Sequence, residues 1–599
     1  MKIFHYQAPS SNVRHLRAMA ECVGISSELV EVENGASLVR MIKELSQENA
    51  GAVLDLASLQ HVLDVTSLQE AATWLSSSSV KLLLLATETN SFTDEILHIL
   101  TQGAVRGVRT TGKPEHVTFP KTSSAWSQEL AGHSYARHPE EALSFVISSG
   151  SDADSILELD GFTTLVRVPL GKAQLFVWST WEVIDPLRPV SAELEFEQAT
   201  DQYIPAIIFL RAAFGDRCWH NPHAAAAIVI DDPVLKQNYG FIKFPDLLAS
   251  ARKHGYRFTV AFIPWNFWRS RSEQVSVFRD YQDCFSICVH GCDHTDNEYG
   301  SMDYDSLLGK NIAAAERMER HQQRTGLPYE AIMVCPQEKY SLQAMRAFAH
   351  GGQFLGLVNT SCLPRNLTGP QVCVADLLFP AQDSFYGFPV FKRHYWRDMS
   401  AFAMDRFLGK PAILVEHHDF FRHSCAGAEN FAAQLSRLSP AIEWKPVSEI
   451  VVRTHSQRKM TETVRAVRFF ARKFQLLHAG EEVTYHLSKR IPGSIAVERV
   501  LVNGVPVSFS REGDIIAFDV CAHRPQTIDV QIESAAVMPA KPYRFRLKYQ
   551  TQVALRRLLC EFRDDVVSKH RFASQVGQYV IQSMKAARSS PKQGNKVSV

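Results

Sequence analysis

Seven short apolar runs between about residues 200 and 455 limit the fold more than any other feature: AAIVID, YRFTVAFIP, CFSICVH, AIMVCP, FLGLVNT, YGFPVFK and PAILVEH. Helical stretches such as LLGKNIAAAERMERHQQRTG separate several of them. Apolar runs of strand length, bounded by turn signals and alternating with helices, require a parallel sheet with helices packed on it. Seven such strands in one unit predict a barrel rather than an open sheet. In a parallel barrel every strand ends on the same rim, so polar groups that close different runs are brought together there.

The same alternation starts at the N-terminus, with KIFHY (2–6), AGAVLDLASL (50–59) and VKLLLLAT (80–87) as buried strands. LSFVIS, TTLVRVPL and AQLFVWST read as strands from the edge of that domain. The pattern is similar to flavodoxin-like and class I glutamine-amidotransferase-like domains. However, no Gly-rich phosphate loop follows the first strand, and no Cys sits at a nucleophile elbow with a matching His. Residues 1–198 are therefore expected to be non-catalytic. The chain as a whole reads as a multidomain α/β protein, its barrel spanning 199–455. A linker helix is expected over 456–480, and a small β-sandwich over 481–538. In that last segment Asn503-Gly504 is a type I′ hairpin signal. A basic amphipathic helical tail with a disordered end is expected over 539–599.

Composition adds little until its distribution is read. The 599 residues carry a formal net charge of +1, yet from Lys541 onward thirteen Lys or Arg face three Asp or Glu. That tail places Leu555, Leu558, Leu559, Phe562 and Val566, then Phe572, Val576, Tyr579 and Val580, at helical spacing. Such a stripe packs on the protein's own surface or on a protein partner, and a basic helix also suits an anionic membrane surface. Nothing points to specific nucleic-acid binding. The N-terminus has no secretory pattern, no apolar run has the length of a membrane span, and the eleven cysteines form no disulfide framework. The expectation is a soluble cytoplasmic protein, peripheral at the inner membrane surface if the tail binds lipid.

The chemistry concentrates at strand ends. Asp231 and Asp232 close the run IVIDD, and two adjacent carboxylates repel unless water or a cation compensates them. His290 and His294 follow FSICV with three residues between them, a spacing that reaches one cation from a helical turn or a tight loop. One carboxylate and two imidazoles leave metal positions open for water and substrate. His417, His418 and Asp419 close PAILVEHHD. Strand alternation predicts that only one of the two histidines faces the site, and Asp419 is placed to orient a histidine. Cys284, Cys288 and Cys292 could make a competing Cys/His site, but strand geometry does not converge cysteines four apart, so buried thiols are expected. Tyr239, Trp265, Phe267, Trp268, Trp396 and Phe420 lie near strand ends and suit the apolar faces of a sugar.

At these residues the chain resembles the polysaccharide deacetylases of carbohydrate esterase family 4, over about residues 230–455. DD in IVIDDP looks like that family's first motif, HGCDH like its second, and ILVEHHD like its late strand ending in His. PVSEIVV (446–452) looks like its closing segment. The resemblance implies a metal-dependent deacetylase of N-acetylated sugars or polysaccharide. Asp231 is then the general base, Asp232, His290 and His294 are the metal ligands, and His418 is the general acid with His417 as the alternative. The implied metal is Zn²⁺, with Co²⁺, Mn²⁺ and Ni²⁺ as alternatives. Pro336 matches the third motif and is a candidate at the substrate site. Cys335 stands where the family has the Arg that holds its base, so Arg393 or Lys339 has to substitute. The competing readings are a glycoside hydrolase or other carbon–nitrogen hydrolase on the same barrel, using Glu416 or Glu298, and a non-catalytic assembly protein of polysaccharide synthesis.

Overall fold

The computed structural model describes residues 1–48, 51–365, 367, 372–535, 537–539 and 547–569. Its centre is a parallel sheet ordered Val390–Lys392, Gly356–Asn359, Glu330–Val334, Phe285–His290, Phe258–Phe262, Ala225–Asp231 and Ala412–Glu416. The two outer strands of this series meet through a single bridge just past Lys392. There the His394 N–H donates to the Ile413 carbonyl (2.9 Å), and the Val415 N–H donates to His394 (2.9 Å). The seven strands thus form an irregular barrel with a thin seam. Period-two alternation divides the strand residues into two sets. Ala227, Val229, Ala261, Cys288, Ile332, Val358 and Ile413 make one small core, which Phe470 and Ala471 also join. Ile228, Ile230, Val260, Phe262 and Leu414 face the larger core shared with the helices. Cys284, Cys288 and Cys292 are all buried thiols.

The N-terminal region builds a nine-stranded mixed sheet. Its parallel part runs Glu28–Glu31, Lys2–His5, Gly51–Asp55, Lys81–Ala86 and Ala173–Ser179. AQLFVWST was expected at an edge but occupies the middle of this sheet, because a strand buried at nearly every position needs a neighbour on each side. LSFVIS leaves the sheet and pairs instead with Val105–Thr111.

The linker helix expected over 456–480 is absent. That stretch forms three strands, His455–Lys459, Val464–Phe469 and Lys473–His478. Val464, Val467 and Phe474 mimic helical spacing. The structure instead buries Val467 with Phe469, and Phe474 with Leu476, each pair two apart on one strand face. These strands join those from 483 to 534 in a five-stranded and a four-stranded sheet. Phe469 stacks on Phe474 (4.8 Å between centroids) and meets Phe518 edge-on (6.3 Å). Asn503 and Gly504, both at positive φ, turn the hairpin between Val502 and Val505.

Of the packings expected for the tail's apolar stripe, the one on the protein's own described surface is not formed. A helix spans Leu547–Asp565 and packs on the barrel rim, but with its polar face inward. Leu555, Leu558, Leu559 and Phe562 are each between 57% and 59% exposed. Phe572, Val576, Tyr579, Val580 and the end expected to be disordered lie outside the described residues. Among the described residues, no helix is long and apolar enough to cross a membrane.

Candidate metal centre

The first barrel strand ends at Asp231, and Asp232 adopts a left-handed backbone (φ +83°). Successive strand residues face opposite sides, so this turn is what brings two neighbouring carboxylates to one rim. Asp232 Oδ1 lies 3.4 Å from His290 Nε2 and 3.0 Å from His294 Nε2. That oxygen is buried, with the two imidazoles as its polar neighbours. Burial pushes the Asp232 carboxyl up, but the imidazoles of His294 and His290 outweigh it and hold the group well below the usual carboxylate range.

His290 closes its strand, and its Nδ1 sits 3.2 Å from the Val334 carbonyl. That contact occupies Nδ1 and leaves Nε2 directed at Asp232. His294 follows on a tight loop, one of the two local structures its spacing allows. The buried Glu298 carboxylate organises this loop by accepting from the backbone N–H groups of Cys292 (3.2 Å), Asp293 (2.9 Å) and His294 (3.0 Å). Gly291, at φ +63°, has no room for a Cβ, which would collide with Pro336 and Glu298. Pro336 therefore packs beneath the loop. One carboxylate and two imidazole donors, all within 4.8 Å of one another, fit a divalent cation with positions left open. The neighbouring Cys292, Asp293 and Glu298 also cluster, but Asp293 pairs with Arg317 (2.6 Å) and Glu298 holds the loop. That engagement leaves Glu298 unavailable as a glycosidase carboxylate.

Asp231 lies beneath the triad. Arg393, just past the sixth strand and wholly buried, grips it with both arms: Nη1 to Oδ1 at 2.8 Å and Nη2 to Oδ2 at 2.7 Å. Burial raises the Asp231 carboxyl, while Arg393 first and then His290 and His417 bring it below its usual value. Of the two substitutes expected for Cys335, Arg393 is the one that meets Asp231. Lys339 instead faces Asp296, 3.7 Å away.

Both late histidines reach the rim, because the strand ends at Glu416 and a short 3-10 helix starts at His418, so alternation no longer applies. A cavity of about 610 Å³ is lined by Asp232, His294, His417 and His418 together with residues of the C-terminal helix. His417 is half-buried, stacks on Tyr395 (6.0 Å, 12°) and acts electrostatically on Asp231. His418 is more enclosed. Its Nε2 lies 3.3 Å from Asp564 Oδ1, and its Nδ1 is buried without a partner against Gly240. The carboxylate nearest His418 is therefore Asp564 on the distant helix. Asp419 stands 3.7 Å away and hydrogen-bonds Arg422.

That helix closes one side of the cavity. All three acidic residues of the basic tail bind the barrel: Glu561 pairs with Lys236 and Arg269, Asp565 with Lys236 (2.5 Å) and the Gly240 N–H (2.8 Å), and Asp564 accepts from the Tyr239 hydroxyl (2.7 Å). Tyr549 donates to Asp293 (2.8 Å), and Arg557 reaches the ring Nδ1 (3.2 Å) and the carbonyl (3.3 Å) of His294. None of these partners was identified from sequence. The available signal was the placement of the tail's only acids on the face opposite its apolar stripe.

The aromatic candidates divide. Tyr239 lines the cavity. Trp265, Phe267 and Trp268 border a separate groove between the barrel and the C-terminal helix, where the two Trp rings meet edge-on (6.0 Å). Trp396 and Phe420 do not line the cavity. They pack on each other (6.2 Å), with Phe431 against Trp396 and Phe421 against Phe420, because rings that follow a strand end also cover the adjacent helices.

No family model matches the sequence, and none of the curated proteins does. Among solved structures the chain is similar to Agd3, described as a novel carbohydrate deacetylase, at 11% identity and a TM-score of 0.43, covering 90% of this chain and 99% of that one. It is also similar to a putative polysaccharide deacetylase from Mycobacterium smegmatis (15% identity, TM-score 0.26, 38% of this chain and 88% of that one). A third is a family 4 acetyl xylan esterase from Clostridium thermocellum, solved with a cobalt ion (13% identity, TM-score 0.23, 38% and 89%). Likenesses this distant carry no function across to the present chain.

Proposed function

We propose that the chain is a metal-dependent hydrolase that removes acetyl groups from an N-acetylated sugar or polysaccharide. The observation that carries this reading is the convergence of two imidazole Nε2 atoms on one buried Asp232 oxygen, at 3.4 and 3.0 Å. Asp232, His290 and His294 would hold the ion, and their oxygen–nitrogen donor set suits Zn²⁺, with Co²⁺, Mn²⁺ or Ni²⁺ as alternatives. When bound, such an ion acidifies water and polarises an acyl oxygen.

The remaining steps belong to the chain's own side chains. Asp231, kept ionised, takes the proton of the attacking water as general base. Arg393 fixes its orientation. The leaving amine needs a proton, and His417 supplies it: both histidines line the cavity, but His417 is the more exposed, whereas the buried His418 is engaged by Asp564 at Nε2 (3.3 Å) and packs against Gly240 at Nδ1. This assignment reverses the order the sequence resemblance implies.

Acetate release from N-acetylglucosamine oligomers by the zinc-loaded full chain tests the proposal. His417→Ala should lower the rate by about a hundredfold or more, the usual worth of a general acid, and His418→Ala by less than about tenfold. Acetate release from no N-acetylated glycan would sink the reading, and reducing ends formed without acetate would favour a glycosidase.

A further inference from the structure

The cavity beside the triad has a charge imbalance on its helical wall. Among its carboxylates, Asp419 is held by Arg422 (3.1 Å) and Asp564 by Arg563 (2.6 Å), while Asp232 faces the two imidazoles. Arg556 and Arg557 are left over. Arg556 makes no ion pair or hydrogen bond with any described residue, and its Nε is buried. Arg557 is only 6% exposed and reaches His294 and the Cys560 sulfur (3.6 Å), its Nε buried and unsatisfied. A guanidinium offers five donors in a planar fork and never gives up its charge. Two of them lining one cavity, one buried and one partly exposed, both short of partners, present donors and charge that suit an anion.

The triad adds to the imbalance. Cation binding through His294 Nε2 needs the hydrogen on Nδ1, so Arg557 then loses its acceptor on that ring and keeps the His294 carbonyl and the Cys560 sulfur. The cavity's volume of about 610 Å³ also leaves room for a sugar with a charged substituent.

We propose that Arg556 and Arg557 form a subsite for an anionic group, a carboxylate or a phosphate, carried by the acetylated sugar. The C-terminal helix is thereby a specificity wall as well as a cover. This rests on the deacetylase reading for the identity of the sugar, but its test does not need turnover.

Calorimetry on the zinc-loaded full chain with N-acetylglucosamine, N-acetylglucosamine 1-phosphate and N-acetylmuramic acid supplies that test. At least one anionic probe should bind about tenfold more tightly than the neutral sugar or better, and which one it is separates phosphate from carboxylate. Arg556→Gln should remove that preference and leave neutral-sugar binding unchanged. Because Arg556 bonds to no described residue, this substitution does not threaten the docking of the helix. Equal binding of all three probes, or binding of none, overturns the subsite. So does a preference that survives both Arg556→Gln and Arg557→Gln, which assigns it to the ion. Acetate release without anion preference defeats the subsite alone. Anion preference in a protein that releases no acetate supports the subsite and defeats the deacetylase reading.

Discussion

The cavity has two walls of different origin. The barrel wall is made of side chains at strand ends, each fixed by its own strand and a buried neighbour: Asp231 by Arg393, His290 by the Val334 carbonyl, His294 by Glu298. The helical wall is a single element, some 250 residues further along the chain than His294, held by ion pairs through its polar face. The first wall carries the triad and Asp231; the second carries guanidiniums and, among its described residues, buries little apolar surface beyond Val553. On the proposed reading, the groups that move protons sit on the barrel and those that recognise charge on the helix, which few apolar contacts hold.

Three substitutions sharpen that contrast, in falling order of effect. Arg393→Met strands a buried carboxylate and should destabilise the protein by about 3–5 kcal/mol in denaturant titration. Adding Asp231→Asn should recover much of the loss. A barrel wall indifferent to Arg393 would break the comparison at its rigid end.

Glu416, beside the proposed acid, gives a pH signature. Burial pushes its carboxyl up to about 7 despite the Trp396 N–H it accepts from (3.2 Å). With its folded pKa raised, its contribution to stability is complete below its ordinary value of 4.5 and disappears as pH rises through about 7. Glu416→Gln should therefore gain on the wild type between pH 5 and 8 in thermal melts. A constant difference across that range contradicts the placement.

The smallest effect belongs to the helix. Lys236→Ala removes partners of Glu561 and Asp565 and should cost less than about 1 kcal/mol overall. Amide exchange over 547–565 should nevertheless quicken, with the barrel strands unchanged. Equal acceleration in both walls would show that they are one unit.

The same contrast explains what the sequence disclosed. Asp231, Asp232, His290 and His294 were legible because local spacing and strand ends place them, and the barrel was legible because seven apolar runs leave few alternatives. Arg393 could be named but not positioned, since its meeting with Asp231 depends on two strands 162 positions apart in the chain. Strand alternation predicted that only one of His417 and His418 would face the site, and both line the cavity because the strand stops at Glu416. The tail was read through its apolar stripe, as amphipathic helices usually are, whereas its three acids and Arg557 decide which face turns inward. The stretch from 456 to 480 failed for a related reason: Val464, Val467 and Phe474 fit helical spacing, and only the sheets' demand for buried alternate residues selects the strand.

The central claim is a division of labour between two adjacent carboxylates, and zinc binding separates them. Equilibrium dialysis of the full chain followed by metal analysis should find one zinc ion in the wild type and in Asp231→Asn, and a large loss of zinc in Asp232→Asn. Wild-type zinc content in Asp232→Asn would contradict the account, whatever the activity of either variant.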